Sequence, residues 1–133
     1  MSQTTLFRTT ISAIGAEVSD LIEGGVLILF DSSAPPELAE VSVLHHDAGP
    51  VGRAPVPGDR LHVGTEALCI TAVGETAWQK ISDIGHVVFN LSGATTAERP
   101  SEICLESVSA ATLLEVLEPG AVLEIRARDW AAA

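Results

Sequence analysis

The sequence is short of basic and aromatic side chains. Lysine and arginine together number 7 among 133 residues, against 18 aspartates and glutamates, and the formal net charge is −11. There is no tyrosine, and aromatic residues make up 4% of the chain. Because a nucleic-acid interface needs a lysine- and arginine-rich surface to neutralise phosphates, we expect no nucleic-acid partner.

Long apolar runs and paired cysteines are also missing. The longest clearly apolar run, Val26 to Phe30, is far shorter than the ~20 residues that span a bilayer, so we expect no direct membrane span. Cys69 and Cys104 lie in separate apolar segments without zinc-type spacing, and the first residues lack the pattern of a secretory signal. We therefore expect buried free thiols and a cytoplasmic protein.

Short β-type segments separated by turn signals recur along the whole chain. A chain of this length suits one domain, 1–133, with a frayed tail at 129–133. The predicted fold class is all-β, a small closed or barrel-like antiparallel β structure with one or two short helices. The eight predicted strands are Thr5 to Ala13, Val26 to Phe30, Val41 to His46, Arg60 to Val63, Ala67 to Val73, His86 to Leu91, Ile103 to Val108 and Val122 to Arg128.

Helical signals are few. The strongest predicts a helix over Thr76 to Ile84, ended by Gly85, because its apolar residues have near-helical spacing. A short turn of helix is predicted over Pro36 to Glu40, and Ala110 to Leu117 fits either a short helix or a buried connection. A Pro-Gly pair precedes both the fourth and the eighth predicted strand, which indicates a repeated corner.

The segment from Val41 to Gly49 alternates apolar residues and then presents His45, His46 and Asp47. Successive side chains of a strand point to opposite faces, so the two imidazoles should project in opposite directions. One histidine is then placed to act, and the other to support it or face water. Imidazole changes its protonation near neutral pH and is both a nucleophile and a metal ligand. We expect chemistry at this strand end.

Three other site types find weaker support. The four histidines, His45, His46, His62 and His86, could converge on a metal ion, but there is no His-x-His spacing to bring two to one ion. A serine hydrolase would need a Gly-x-Ser-x-Gly turn, and a nucleotide enzyme a glycine-rich phosphate loop; neither is present. We predict no metal and no cofactor.

Several blocks in order along the chain together resemble the glucitol/sorbitol-specific enzyme IIA of the bacterial sugar phosphotransferase system. They cover nearly the whole sequence. The blocks are Thr9-Thr10-Ile11-Ser12-Ala13-Ile14-Gly15, Val26-Leu27-Ile28-Leu29-Phe30, Val43-Leu44-His45, Ile70-Thr71-Ala72-Val73-Gly74, Ile84-Gly85-His86-Val87 and Pro119-Gly120-Ala121-Val122-Leu123-Glu124-Ile125.

The resemblance implies a phosphoryl relay protein with a phosphohistidine intermediate. It would accept phosphate from the histidine-containing phosphocarrier protein and pass it to the IIB/IIC sugar permease, for uptake of a sugar alcohol such as glucitol. It implies His45 as the acceptor, with His86 its best neighbour. His46 is a further candidate to stabilise the phosphoryl group, whereas Arg53 fits either such a role or an ordinary solvated loop cation.

The partner surface should be an apolar patch beside the acceptor, which we expect to include Leu44 and Val51, with Pro50 and Val56. The alternative function is a non-catalytic ligand-binding or regulatory domain of the same β-barrel fold. Presence of the acceptor histidine favours the relay.

Overall fold

Eight short strands close into a barrel in the computed structural model, which describes residues 4–50 and 52–128. The order around the barrel is β1-β3-β2-β6-β7-β5-β4-β8. The strands are β1 (Thr5–Ile14), β2 (Val26–Asp31), β3 (Val43–Pro50), β4 (Arg60–Val63), β5 (Glu66–Val73), β6 (Val87–Asn90), β7 (Glu102–Leu105) and β8 (Val122–Arg126). The described helices are α1 (Val18–Glu23), α2 (Pro36–Ala39), α3 (Ala77–Ile84) and α4 (Ala110–Val116).

The barrel forms because alternate residues of its strands are apolar. In β5, the side chains of Leu68, Ile70 and Ala72 are buried, while their neighbours are more exposed. The largest fully buried side chains are Phe7 and Phe89. Inward side chains of all strands therefore fill the interior, as expected of a small barrel.

The predicted barrel is confirmed, with two corrections. Two neighbouring pairs, β2–β3 and β6–β7, are parallel rather than antiparallel. Parallel neighbours need a crossover connection, and the chain between β2 and β3 supplies one through α2. The described residues also hold four helices instead of one or two, because α1 is too short for its apolar spacing to stand out in sequence.

Individual helices match their sequence predictions to different degrees. The predicted α3 ends as expected at Gly85, whose φ of +63° is left-handed, although Thr76 makes no side-chain cap hydrogen bond. The ambiguous segment at 110–117 is helical, with the Ser109 hydroxyl accepting from the Thr112 N–H at 3.1 Å. The predicted tail at 129–133 lies outside the described residues.

The barrel consists of two halves in which the strands and one helix follow the same order, while α2 has no counterpart between β6 and β7. The first half contains β1, α1, β2 and β3, and the second contains β5, α3, β6 and β7. Adding β8 to the first and β4 to the second gives the orders β8-β1-β3-β2 and β4-β5-β7-β6. The halves join through the antiparallel pairs β2–β6 and β4–β8, as a two-fold axis would relate them.

Backbone hydrogen bonds extend this match to individual residues. The Gly15 N–H donates to the Ser42 carbonyl at 3.0 Å, and the Gly74 N–H donates to the Glu102 carbonyl at 2.7 Å. The two glycines are equivalent for steric reasons too. A Cβ on either one would lie within 2.4 Å of a backbone carbonyl oxygen of the facing chain, so both positions require glycine.

The predicted repeated corner is present in both halves. The Gly120 N–H donates to the Ile11 carbonyl at 2.8 Å, and the Gly58 N–H donates to the Ile70 carbonyl at 2.9 Å. Both glycines have positive φ, +93° and +101° respectively. Since Ile11 and Ile70 are thus equivalent, their cross-strand partners on β3 and β7 are equivalent as well.

Membrane spanning by a helix is not indicated in the part of the chain that the structure describes: none of its helices is both long and apolar enough.

Candidate functional site

His45 lies inside the barrel wall, in the third position of β3. Its side chain is 0% exposed, and it does not stand at a strand end as the sequence predicts. The cause is the length of β3, which continues to Pro50 rather than turning after His46. His46 is exposed, which confirms that the two imidazoles project to opposite faces.

Both ring nitrogens of His45 are within hydrogen-bond distance of another group. Nδ1 lies 2.7 Å from the Thr9 hydroxyl oxygen on β1. Nε2 lies 2.7 Å from the carbonyl oxygen of Gly85, just after α3. The ring edge also packs against Phe7, with centroids 6.1 Å apart and planes at 76°. Strand β1 and the end of α3 therefore hold the imidazole of β3 in a single orientation.

The Gly85 contact determines where the ring proton sits. A carbonyl oxygen only accepts hydrogen bonds, so Nε2 must carry a hydrogen in this arrangement. In the neutral ring, Nδ1 is then unprotonated and accepts from the Thr9 hydroxyl. Neither nitrogen presents a free lone pair, so this arrangement is closed to an incoming electrophile.

The surroundings of His45 favour its neutral form. Burial lowers the pKa of His45 below its ordinary value, against the Gly85 hydrogen bond and the charge of Asp31, which raise it. The carboxylate of Asp31 is itself held by the backbone N–H and the hydroxyl of Ser33. A neutral imidazole is the nucleophilic form.

Gly85 approaches His45 more closely than any other residue type could. A Cβ placed on Gly85 would lie 3.1 Å from Cε1 and Nε2 of His45 and 3.1 Å from Cβ of Asp31. Its positive φ also favours glycine, because a side chain is strained there. The end of α3 therefore covers the imidazole only because residue 85 has no side chain.

The side chain of His86 contacts Leu29 and Phe30 of β2. Its Nδ1 lies 3.2 Å from the Leu29 carbonyl oxygen, and its ring packs on Phe30 with centroids 4.8 Å apart. It is half-buried and follows Gly85 directly. His86 therefore lies beside the group that covers Nε2.

The other predicted residues lie at varying distances from this cluster. Leu44 is partly buried, and Val51 lies outside the described residues. Arg53 forms an ion pair with the buried Asp59, at 2.8 Å and 3.2 Å. His62 is on the outer side of β4, where burial lowers its pKa. The four histidines thus occupy separate places on the barrel.

Thr9 and Asp31 are site residues that sequence reasoning did not identify. Neither stands near His45 in sequence, and both reach it through strand pairing, since β3 lies between β1 and β2. Asp31 is directly opposite His45 in the parallel pair. A correct strand order with register is the only signal that could have found them.

Comparison with known proteins places the chain in a family. The sequence model of the PTS system glucitol/sorbitol-specific IIA component matches residues 6–124. The PTS system glucitol/sorbitol-specific EIIA components of Shigella flexneri and Escherichia coli strain K12 are each 31% identical over 121 residues, covering 91% of this chain and 94% of theirs.

A solved structure shares the fold. The PTS system IIA component from Enterococcus faecalis V583 superposes with a TM-score of 0.69 at 20% identity, over 90% of this chain and 99% of that one. The sequence matches span most of the chain, and the buried histidine lies within them. The chain therefore belongs to the glucitol/sorbitol-specific IIA component family of the sugar phosphotransferase system.

Proposed function

We propose that this chain relays phosphoryl groups through a phosphohistidine formed on His45. The observation that carries the proposal is the geometry of His45: a neutral imidazole held at both nitrogens on one strand of a closed barrel. A rigidly oriented neutral imidazole attacks phosphorus well and also leaves well, which suits reversible transfer.

Nε2 is the accepting nitrogen in this proposal. Nδ1 faces Thr9, which is 1% exposed, whereas Nε2 faces the partly exposed Gly85 at the end of α3. A donor protein can reach Nε2 by displacing one carbonyl group. Reaching Nδ1 would require it to pass through the strand pair β1–β3.

The transfer step is a displacement at phosphorus. The bond from phosphorus to the donor's histidine nitrogen breaks as the bond to Nε2 of His45 forms, and the donor nitrogen keeps the electron pair. The Gly85 carbonyl must first leave Nε2, which then loses its proton to water while Nδ1 takes one up, so that the single ring proton resides on Nδ1. The second transfer, to the receiving partner, reverses these bond changes.

The proposed partners are the histidine-containing phosphocarrier protein as donor and the IIB component of a sugar-alcohol permease as acceptor, in the cytoplasm. Docking would take place around the end of α3, where Ile84 is 44% exposed directly before Gly85. Leu44 and Val51 remain proposed members of the same apolar surface. His86 would contact the phosphoryl oxygens once the Gly85 carbonyl has moved.

Phosphorylation with purified enzyme I, phosphocarrier protein and phosphoenolpyruvate tests the function. The intact protein should gain the mass of one phosphoryl group, and His45→Ala should abolish that gain. His46→Ala is the matched control and should keep most of the labelling, because its side chain lies on the opposite face of β3. Labelling of His45→Ala at the wild-type rate contradicts the proposal.

His86→Gln tests the supporting role separately. If His86 supplies hydrogen bonds to the phosphoryl oxygens, transfer should slow by roughly 10- to 1,000-fold. Unchanged transfer would leave His86 as a packing residue against Phe30.

A further inference from the structure

The Thr9 hydroxyl lies between two groups that compete for its hydrogen. Its oxygen is 2.7 Å from Nδ1 of His45 and 2.9 Å from the backbone carbonyl oxygen of His46. A hydroxyl has one hydrogen to donate, and it can accept through its lone pairs at the same time. Thr9 can therefore either donate to Nδ1 or donate to the His46 carbonyl and accept from Nδ1.

These two orientations correspond to the two neutral forms of the imidazole. When Thr9 donates to Nδ1, the ring proton is on Nε2 and bonds the Gly85 carbonyl. When Thr9 donates to the His46 carbonyl, it offers a lone pair to a hydrogen on Nδ1, and Nε2 is left unprotonated. Rotation of one buried hydroxyl thus matches either form on the Nδ1 side of the ring, while on the Nε2 side the Gly85 carbonyl must move away in the second form.

A threonine at this position is not needed to build the barrel. Thr9 and its counterpart Leu68 stand two residues before the equivalent Ile11 and Ile70. Both are buried, at 1% and 4% exposure. The second half therefore closes around an apolar side chain where the first half has a hydroxyl, and the hydroxyl is present in the half that contains His45.

We propose that Thr9 is a positioning residue whose hydroxyl holds the ring proton of His45 on Nδ1 and so frees Nε2 to accept the phosphoryl group. This inference rests on the proposed function. In the step itself, Nδ1–H donates to the Thr9 oxygen, and Thr9 donates to the His46 carbonyl. Phosphorus bonds to Nε2, and no proton leaves the ring during the transfer.

Two substitutions separate the hydroxyl from the rest of the side chain. Thr9→Val keeps the shape and removes the hydroxyl, whereas Thr9→Ser keeps the hydroxyl. Thr71→Val is the control, since it removes a hydroxyl that donates to the Ala94 carbonyl at 2.6 Å, away from His45. Loss of the group that orients a metal-ligating imidazole costs about 10- to 100-fold, and we expect an effect of that size here.

Single-turnover phosphorylation and ¹⁵N NMR of the histidine rings are the two measurements. Thr9→Val should slow acceptance by about 10- to 100-fold at unchanged donor affinity, because Thr9 is buried and cannot touch the donor. The Nδ1 resonance of His45 should shift in the unphosphorylated protein, where its hydrogen bond with Thr9 is lost, and the phosphorylated protein should hold its Nδ1 proton less tightly. Thr9→Ser and Thr71→Val should resemble the wild type in both measurements.

The outcomes distinguish this inference from the function on which it rests. A folded Thr9→Val protein with wild-type rate and ring spectrum overturns the positioning role, as does Thr9→Ser slowed as much as Thr9→Val. If wild-type protein takes label at a residue other than His45, the proposed function fails. The ring spectra of unphosphorylated protein still report on Thr9 in that case, because they require no transfer.

Discussion

The two halves of the barrel share a backbone plan but differ in polarity at one place. His45 on β3 faces Ile11, and its counterpart on β7 is Leu105, which faces the equivalent Ile70. Both side chains are fully buried. The fold accepts leucine at this position, so the imidazole of the first half is not required to complete the core.

The neighbours of these two residues differ in the same way. Asp31 pairs with His45 in the first half. In the second half the counterpart of Asp31 is Leu91, which directly follows the last paired residue of β6. Gly85 is the C-cap of α3, and Gly25 follows the C-cap of α1; each lies two residues before equivalent positions on β6 and β2. The Gly85 carbonyl bonds His45, whereas the Gly25 carbonyl accepts the backbone N–H of Leu91 at 2.8 Å.

The site therefore consists of polar residues at one corner of a repeated scaffold, where the other half has apolar residues. A buried polar group is tolerated when its hydrogen bonds are made, and is costly when they are not. His45 has partners at both nitrogens. At the corresponding corner of the second half, leucines stand in place of Thr9 and Asp31, so it offers an imidazole no side-chain partner.

The most severe test places a histidine in the second half. Leu105→His should lower the free energy of unfolding by about 3 kcal/mol, because its nitrogens would be buried without side-chain partners. In a protein that also carries His45→Ala, no phosphoryl label should appear. Chemical denaturation and mass spectrometry measure the two effects. Labelling at position 105 would mean that burial in the barrel wall is enough to make an acceptor.

A second test compares Gly85 with its counterpart Gly25, which lie at the ends of α3 and α1. Gly85→Ala puts a methyl group 3.1 Å from the His45 ring, whereas around Gly25 there is nothing within 4 Å of a Cβ. Both positions have positive φ, so both variants carry a similar backbone strain of roughly 1 kcal/mol. Displacing a reacting group by about 1 Å costs about 100-fold in rate.

We therefore expect Gly85→Ala to slow phosphoryl acceptance by about 100-fold, and Gly25→Ala to leave it near the wild-type rate. Thermal unfolding of both variants provides the baseline for strain. Equal rates in the two variants would show that the close approach of Gly85 to His45 has no part in transfer.

The third test uses pH, because Leu105 cannot titrate and His45 can. The folded pKa of His45 lies below its unfolded value of about 6.5, so the unfolded chain binds the proton more readily. Stability is then lost as pH falls from about 6.5 toward the folded pKa. His45→Gln should flatten this part of the stability curve measured by denaturant titration.

Two other groups of residues give this test its controls. The pKa of His62 is also lowered by burial, so His62→Gln should remove a separate contribution of the same sign. The carboxyl groups of Asp59 and Glu124 have lowered pKa values and contribute only at more acid pH, near about 4. A curve unchanged by His45→Gln above pH ~5 would contradict the assignment.

Much of this arrangement follows from the sequence, and the remainder depends on strand pairing. Eight strands, the helix ending at Gly85 and the opposed faces of His45 and His46 all follow from local periodicity and turn residues. The parallel pairing of β2 with β3 does not, because it is set by which strands meet across the barrel. Thr9 and Asp31 were missed for that reason.

Burial of the acceptor could not be predicted from local pattern either. An alternating strand shows that His45 shares a face with Val43, but not whether a helix end covers that face. The cover comes from Gly85, which is 40 residues away in sequence. The repeated corner could be recognised from its Pro-Gly pairs, while the full two-fold relation appears only in the hydrogen bonds.

The smallest expected effect concerns the surface outside the covered imidazole. Ile84 is 44% exposed beside Gly85, and a donor that displaces the Gly85 carbonyl must contact this end of α3. Ile84→Asp should therefore slow transfer about three- to tenfold through weaker association, without changing the rate within the complex. The protein has a net charge of −11, so added salt should slow association with a basic donor surface in wild type and variant alike.

Two further variants are the controls for Ile84→Asp. Leu38→Asp alters another exposed apolar residue, on α2, and Val51→Asp tests the surface predicted from sequence. If transfer responds to Val51→Asp and not to Ile84→Asp, the donor docks away from the end of α3. The donor must then reach Nε2 of His45 by a route that does not pass Gly85.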